Sequence, residues 1–89
     1  SVNFPAVNMP REAPHRVAVA SANIPNMVGQ ISTAMAQAGI NIHNMVNKSR
    51  GDIAYTMLDL DSPAAESSLA KIRAIEGVMT VRLLPQRQD

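Results

Sequence analysis

The chain has 89 residues, a hydrophobic fraction of 46% and a formal charge of +1, which fits one domain with one small core and gives neither nucleic acid nor an anionic membrane an electrostatic hold. It has no cysteine, so a disulfide framework and a thiolate metal site are excluded, and the expected compartment is the cytoplasm. Aromatic residues make up 2%, so Val, Ile, Leu, Met and Ala must build the core. No apolar run reaches the ~20 residues of a membrane span, and no signal peptide is visible. Because the first residue is Ser1 rather than Met, we expect a piece of a longer protein or a processed form.

Residues 1–14 hold Pro5, Pro10 and Pro14, which exclude a helix and disfavour a central strand. Val2, Phe4, Val7 and Met9 are the apolar residues of this arm. Two readings stay open for it: a linker packed loosely on the domain of residues 15–89, or an extended arm docked on another domain or subunit.

A strand is predicted over 16–20, with Val17 and Val19 on one face and Ala18 and Ala20 on the other. Met27, Ile31, Ala34, Met35 and Ala38 recur at helical spacing, which predicts a helix over 24–38. Asn23 is its expected N-cap, Pro25 fits its first turn, and Gly39 suits the position after its end.

A second strand is predicted over 40–48. Ile40, Ile42 and Val46 share one face, and Asn41, His43, Met45 and Asn47 the other, with Asn44 breaking the series. Its polar content suits a sheet edge. Ser49, Arg50 and Gly51 read as a hairpin turn. The third strand, over 52–60, is apolar on both faces and reads as central: Ala54, Thr56, Leu58 and Leu60 against Ile53, Tyr55, Met57 and Asp59.

Ser62 and Pro63 read as N-cap and first residue of a second helix. Ala65, Leu69, Ile72 and Ile75 form its apolar stripe, Glu66, Lys71 and Arg73 complement its dipole, and Gly77 ends it. A fourth strand follows over 78–84, with Met79, Val81 and Leu83 inward, then Pro85 and a tail over 86–89. The order is βαββαβ. With right-handed crossovers this is an α+β, ferredoxin-like sandwich, a four-stranded antiparallel sheet with two helices on one face.

The chemistry is sparse. His15 and His43 have no evident catalytic partner, and Asp59 and Asp61 read as a solvated strand end. No P-loop, dinucleotide fingerprint, zinc spacing or nucleophile elbow occurs. A ferredoxin-like sheet that binds RNA needs exposed aromatics on its central strands; Tyr55 stands alone, so nucleic acid is not expected. What remains is the polar loop over 21–26 and Asn41. A free amino acid offers a carboxylate to backbone N–H groups at a helix start and an ammonium to amide oxygens. A helix of that length spans about 20 Å, so Asn23 and Asn41 can share one small ligand only across a two-fold axis. The bland alternative is that Asn23 only caps a helix and Asn41 only satisfies backbone.

The βαββαβ order, the loop A-N-I-P-N-M-V and the step A-G-I-N-I resemble an ACT domain, a small regulatory module of amino-acid metabolism. The arm S-V-N-F-P, the hairpin K-S-R-G-D-I-A-Y-T-M-L-D-L-D and the ending I-x-G-V-x-T-V-R-L-L resemble ACT domains that follow an NAD-dependent dehydrogenase body. The resemblance implies that this segment is regulatory, not an enzyme, and holds no cofactor itself, NAD belonging to the body. It implies a side-by-side homodimer joined through the second strands at Ile42, His43, Asn44 and Met45. It implies an amino-acid ligand, L-serine, held by Ser21, Ala22, Asn23, Pro25, Asn26 and Met27 of one subunit and Asn41 of the other, as feedback control. Two positions depart from the pattern: Ser21 stands where serine-sensitive relatives can carry His, and Asn26 where Gly is usual. The alternative is a ligand-blind dimerisation module with a degenerate site.

Overall fold

The computed structural model describes residues 15–84; the expected arm over 1–14 and tail over 86–89 lie outside the described residues. The elements run β1 (His15–Ala22), α1 (Met27–Gln37), β2 (Ile42–Arg50), β3 (Ile53–Leu60), α2 (Glu66–Arg73) and β4 (Val78–Leu84). The sheet order is β2-β3-β1-β4, and every neighbouring pair is antiparallel. The expected fold class is therefore observed, with β3 and β1 central and the polar β2 at an edge.

The core follows from alternation. Val17 and Val19 of β1 and Leu58 and Leu60 of β3 point to the side where Ile31 and Met35 of α1 and Leu69 and Ile72 of α2 meet them. Each such side chain, fully buried, contributes about 1.5–3 kcal/mol. Gly39 takes φ 73 just past α1, a conformation that costs glycine nothing.

Both helices begin later than expected. The backbone N–H of Asn23 donates to Asp52 O at 2.8 Å, so that residue is tied to the β2–β3 hairpin instead of capping α1. Ile24 precedes Pro25, which disfavours helical backbone there, and the cap passes to Asn26. In the second half Pro63 acts likewise on Ser62, and the cap is Ala65 in extended backbone. Ala65 is exposed, not part of the buried stripe; Ala64 and Ser68 are buried instead.

Two register shifts correct the expected faces. Ile42 pairs with Leu60 and Asn44 with Asp59, so His43 is an extra residue. Such a bulge flips every later side chain. Met45 therefore lies opposite Leu58 and packs, like Ile42, against the core, while Val46 moves to the helix-free face opposite Met57. A second shift lies between Ala20 and Ser21 in the β1–β4 pairing. Val78 packs on the core, and Met79 and Leu83 are exposed; of the three residues expected inward on β4, Val81 alone is buried.

Candidate functional site

The loop between β1 and α1 is strapped at several points. Ala22 N–H donates to Gly77 O at 2.8 Å, and Ile24 N–H to Ala22 O at 3.0 Å. The Asn23 side-chain amide donates to Gly51 O at 3.3 Å. The loop is thus held by the β2–β3 hairpin on one side and by the α2–β4 turn on the other. Gly77 has φ 97, and a Cβ there would meet Ile24 Cδ1 at 3.1 Å and Met27 Cε at 3.2 Å, so the turn closes on the loop only because that residue is glycine.

Asn26 resolves one departure noted in the sequence. It takes the left-handed conformation, φ 66, which Asn tolerates better than any other residue bar Gly. Gln30 N–H donates to Asn26 O at 3.0 Å and starts the helix. The Asn26 side chain makes no cap hydrogen bond; it folds toward Gly29, where a Cβ would come within 2.5 Å of Asn26 Oδ1. The contact of Gly29 with Asn26 is not among the sequence expectations. Its signal was a glycine inside a helix, which costs about 1 kcal/mol against Ala and needs a reason. The first turn of α1 has neither a side-chain cap nor an acidic residue, so its free N–H groups keep their partial positive charge.

The other expected loop residues divide by burial. Asn23 and Pro25 are exposed with Asn26, and Ala22 is half-buried. Ser21 and Met27 are buried, and the Ser21 hydroxyl has no hydrogen-bond partner among the described residues. Met27 anchors the loop to the core.

Asn41 lies elsewhere. Its carbonyl accepts the Asp61 N–H at 3.2 Å, and its side-chain amide donates to Asp61 Oδ2 at 2.5 Å. His43 Nδ1 stands 3.2 Å from Asp61 Oδ1, both side chains about half exposed. Asp61 is therefore the centre of an Asn–Asp–His cluster that the sequence reading did not assemble, because the bulge that turns His43 outward leaves no trace in the alternation. Of the expected interface residues, His43 is exposed, Ile42 and Met45 face the subunit's own core, and Asn44 Oδ1 accepts the Met45 N–H at 2.9 Å.

Asp59 does not share the solvent with Asp61. It is fully buried on the helix-free face, where Arg16 grips it with Nε–Oδ1 at 2.6 Å and Nη2–Oδ2 at 2.9 Å. The two residues are directly opposite on adjacent central strands. The hydrogen bonds from Arg16 to Asp59 raise the guanidinium's pKa, outweighing the opposing effect of burial.

A groove of about 490 Å³ runs between α1 and α2, lined by Asn26, Gln30, Thr33, Gln37, Lys71 and Ile75 among others. Only Asn26 belongs to the expected site. Among the described residues there is no cluster of three metal-ligating side chains, and no helix is long and apolar enough to cross a membrane.

No family model matches the chain. D-3-phosphoglycerate dehydrogenase from Escherichia coli K12 is 29% identical over 86 residues, which cover 94% of this chain and 21% of that protein. The Haemophilus influenzae enzyme of that name is 28% identical over 85 residues, with the same coverage. The chain thus spans about a fifth of the length of the curated relatives it matches. The ACT domain of a Chlorobium tepidum GTP pyrophosphokinase superposes with a TM-score of 0.64 at 22% identity, covering 79% of this chain and 95% of that one. The regulatory subunit of Thermus thermophilus aspartate kinase superposes with a TM-score of 0.65 at 13% identity, covering 80% of this chain and 50% of that one. The fold is that of ACT domains.

Proposed function

We propose that this ACT-fold chain is an amino-acid-binding regulatory domain, with L-serine as ligand, and that it works in the cytoplasm as a two-fold homodimer. The dehydrogenase-like sequence supports a parent that is a D-3-phosphoglycerate dehydrogenase, with NAD chemistry in a body outside this chain. The observation that carries the reading is the placement of the two asparagines at opposite ends of the β2–β3 hairpin, whose β2 is an edge strand. Asn23 holds Gly51, in the turn just past β2, while Asn41 immediately precedes Ile42, at the start of β2. Antiparallel pairing of two β2 strands about a two-fold axis brings Asn41 of one subunit beside the partner's Asn23.

A ligand between them meets suitable chemistry. Its carboxylate takes the uncapped N–H groups of α1. Its ammonium takes the side-chain oxygens of Asn23 and Asn41, whose amide nitrogens are already spent on Gly51 and Asp61. A ligand that prefers one dimer arrangement shifts the population toward it, and couplings of this kind are typically about 1–3 kcal/mol.

One observation favours a second reading, the ligand-blind module. The Asn26 side chain occupies space over the first turn that a glycine would leave open. Calorimetric titration of the chain with a panel of amino acids, serine first, separates the two. The regulatory reading expects saturable heat for one or a few of them. A dimer that responds to none overturns it in favour of the ligand-blind module.

A further inference from the structure

Asp61 lies just past β3 and is tied to Asn41 twice. Its backbone N–H donates to Asn41 O at 3.2 Å, and its Oδ2 accepts from the Asn41 side-chain amide at 2.5 Å. The second bond fixes the amide. An ionised carboxylate only accepts, so it takes the NH2 end and leaves Asn41 Oδ1 to accept from elsewhere. Asp61 Oδ1 stands 3.2 Å from His43 Nδ1, and the Asp61 side chain is 45% exposed. A carboxylate has about four lone-pair sites, so these two contacts leave room for a further donor. Among the described residues no Lys or Arg pairs with Asp61: Arg16 is taken by Asp59 and Arg73 by Glu66.

Building on the shared amino-acid site proposed above, we infer that Asp61 selects the ligand's ammonium group, so that the site takes a zwitterionic α-amino acid and discriminates against the hydroxy acid of the same shape. An ammonium that donates to Asn41 Oδ1 lies two hydrogen bonds and one amide group from the Asp61 carboxylate, roughly 7 Å or less. The amide oxygen meets an N–H and the carboxylate balances the charge. Asn23 adds no charge of its own, and its amide nitrogen is on Gly51 O. The opposite end of the site has the opposite sign. The first turn of the partner's α1 has no side-chain cap and no acidic residue, so its N–H groups form a partial positive end. One subunit thus presents a positive end and the other a negative one, the charge pattern of a zwitterion. A hydroxy acid places a neutral hydroxyl at the Asp61 end and forgoes the charge-assisted interaction.

Asp61→Asn tests this, because it keeps an oxygen for the Asn41 amide and removes only the charge. Wild type and variant are titrated calorimetrically with L-serine and with L-glycerate, in which a hydroxyl replaces the ammonium. Thermal unfolding establishes that the variant is folded. Wild type should prefer serine. The variant should bind serine more weakly, on the order of tenfold, with its glycerate affinity unchanged. Where glycerate binds neither chain, the loss for serine decides alone. Undiminished serine binding by Asp61→Asn, or an equal loss for both ligands, overturns the role of Asp61 and leaves the shared site standing. A wild-type chain that binds no amino acid overturns the shared site, and the role of Asp61 falls with it.

Discussion

Asn23 and Asn41 stand at opposite ends of β3. The backbone N–H of Asn23 donates to Asp52 O, just before the strand, and Asn41 O accepts from Asp61 N–H, just after it. The intervening nine residue steps place them roughly 25–30 Å apart. No amino acid bridges that distance, so within one chain these two residues cannot contact the same small molecule. Each is held by hydrogen bonds to the ends of the same hairpin, and their separation is fixed by a central strand.

Arg16 and Asp59 should behave as a buried pair. Asp59→Ala leaves a guanidinium without its partner and is expected to cost about 3–5 kcal/mol in urea unfolding. Replacing both residues by apolar ones of similar volume should recover most of that loss. The sign of the pH dependence follows from Arg16. Its folded-state pKa is raised, so its contribution is fully present below the unfolded value and is lost only as pH climbs in strong alkali. Urea midpoints of wild type should therefore show no step from Arg16 between neutral pH and pH ~10.

Gly77→Ala should destabilise by about 1–3 kcal/mol, because φ 97 is strained for any residue with a Cβ and the new methyl meets Ile24 and Met27. Thermal unfolding measures the loss. Because Ala22 N–H donates to Gly77 O, chemical shifts of the loop over 22–26 should move as well.

Ser21→Ala should be neutral or stabilising, by about 0–1 kcal/mol in urea unfolding. The Ser21 hydroxyl is buried without a partner among the described residues, and removing an unmet polar group removes its desolvation cost. Because that hydroxyl is inaccessible, the substitution should also leave amino-acid affinity unchanged.

The fold was legible because its signals are local. Alternation on β1 and β3, helical spacing from Met27 to Met35, Gly39 and the polar β2 each pointed to one arrangement. What escaped was decided between distant segments. His43 as a bulge follows from how β2 meets β3, not from its own sequence. Asp59 looked like a solvated strand end until Arg16, 43 residues away, lay opposite it. Asn23 reads as an N-cap by residue type, but the hairpin claims its backbone, and Asn26 takes the role. For the site, the two asparagines and their separation could be read; the engagement of Asn41 by Asp61 and of Asn26 with Gly29 could not.

The central claim is a ligand site shared across a two-fold axis, and complementation tests it most directly. Asn23→Ala and Asn41→Ala chains should each fail to bind serine, since both sites of each dimer are defective. After subunit exchange, a mixed dimer holds one site with both asparagines intact and one with neither. Calorimetry on an equimolar mixture should recover about a quarter of wild-type capacity, the statistical yield for a two-fold dimer, at wild-type affinity. A mixture that binds no better than its components, or an Asn41→Ala chain that binds serine as wild type does, would contradict the shared site.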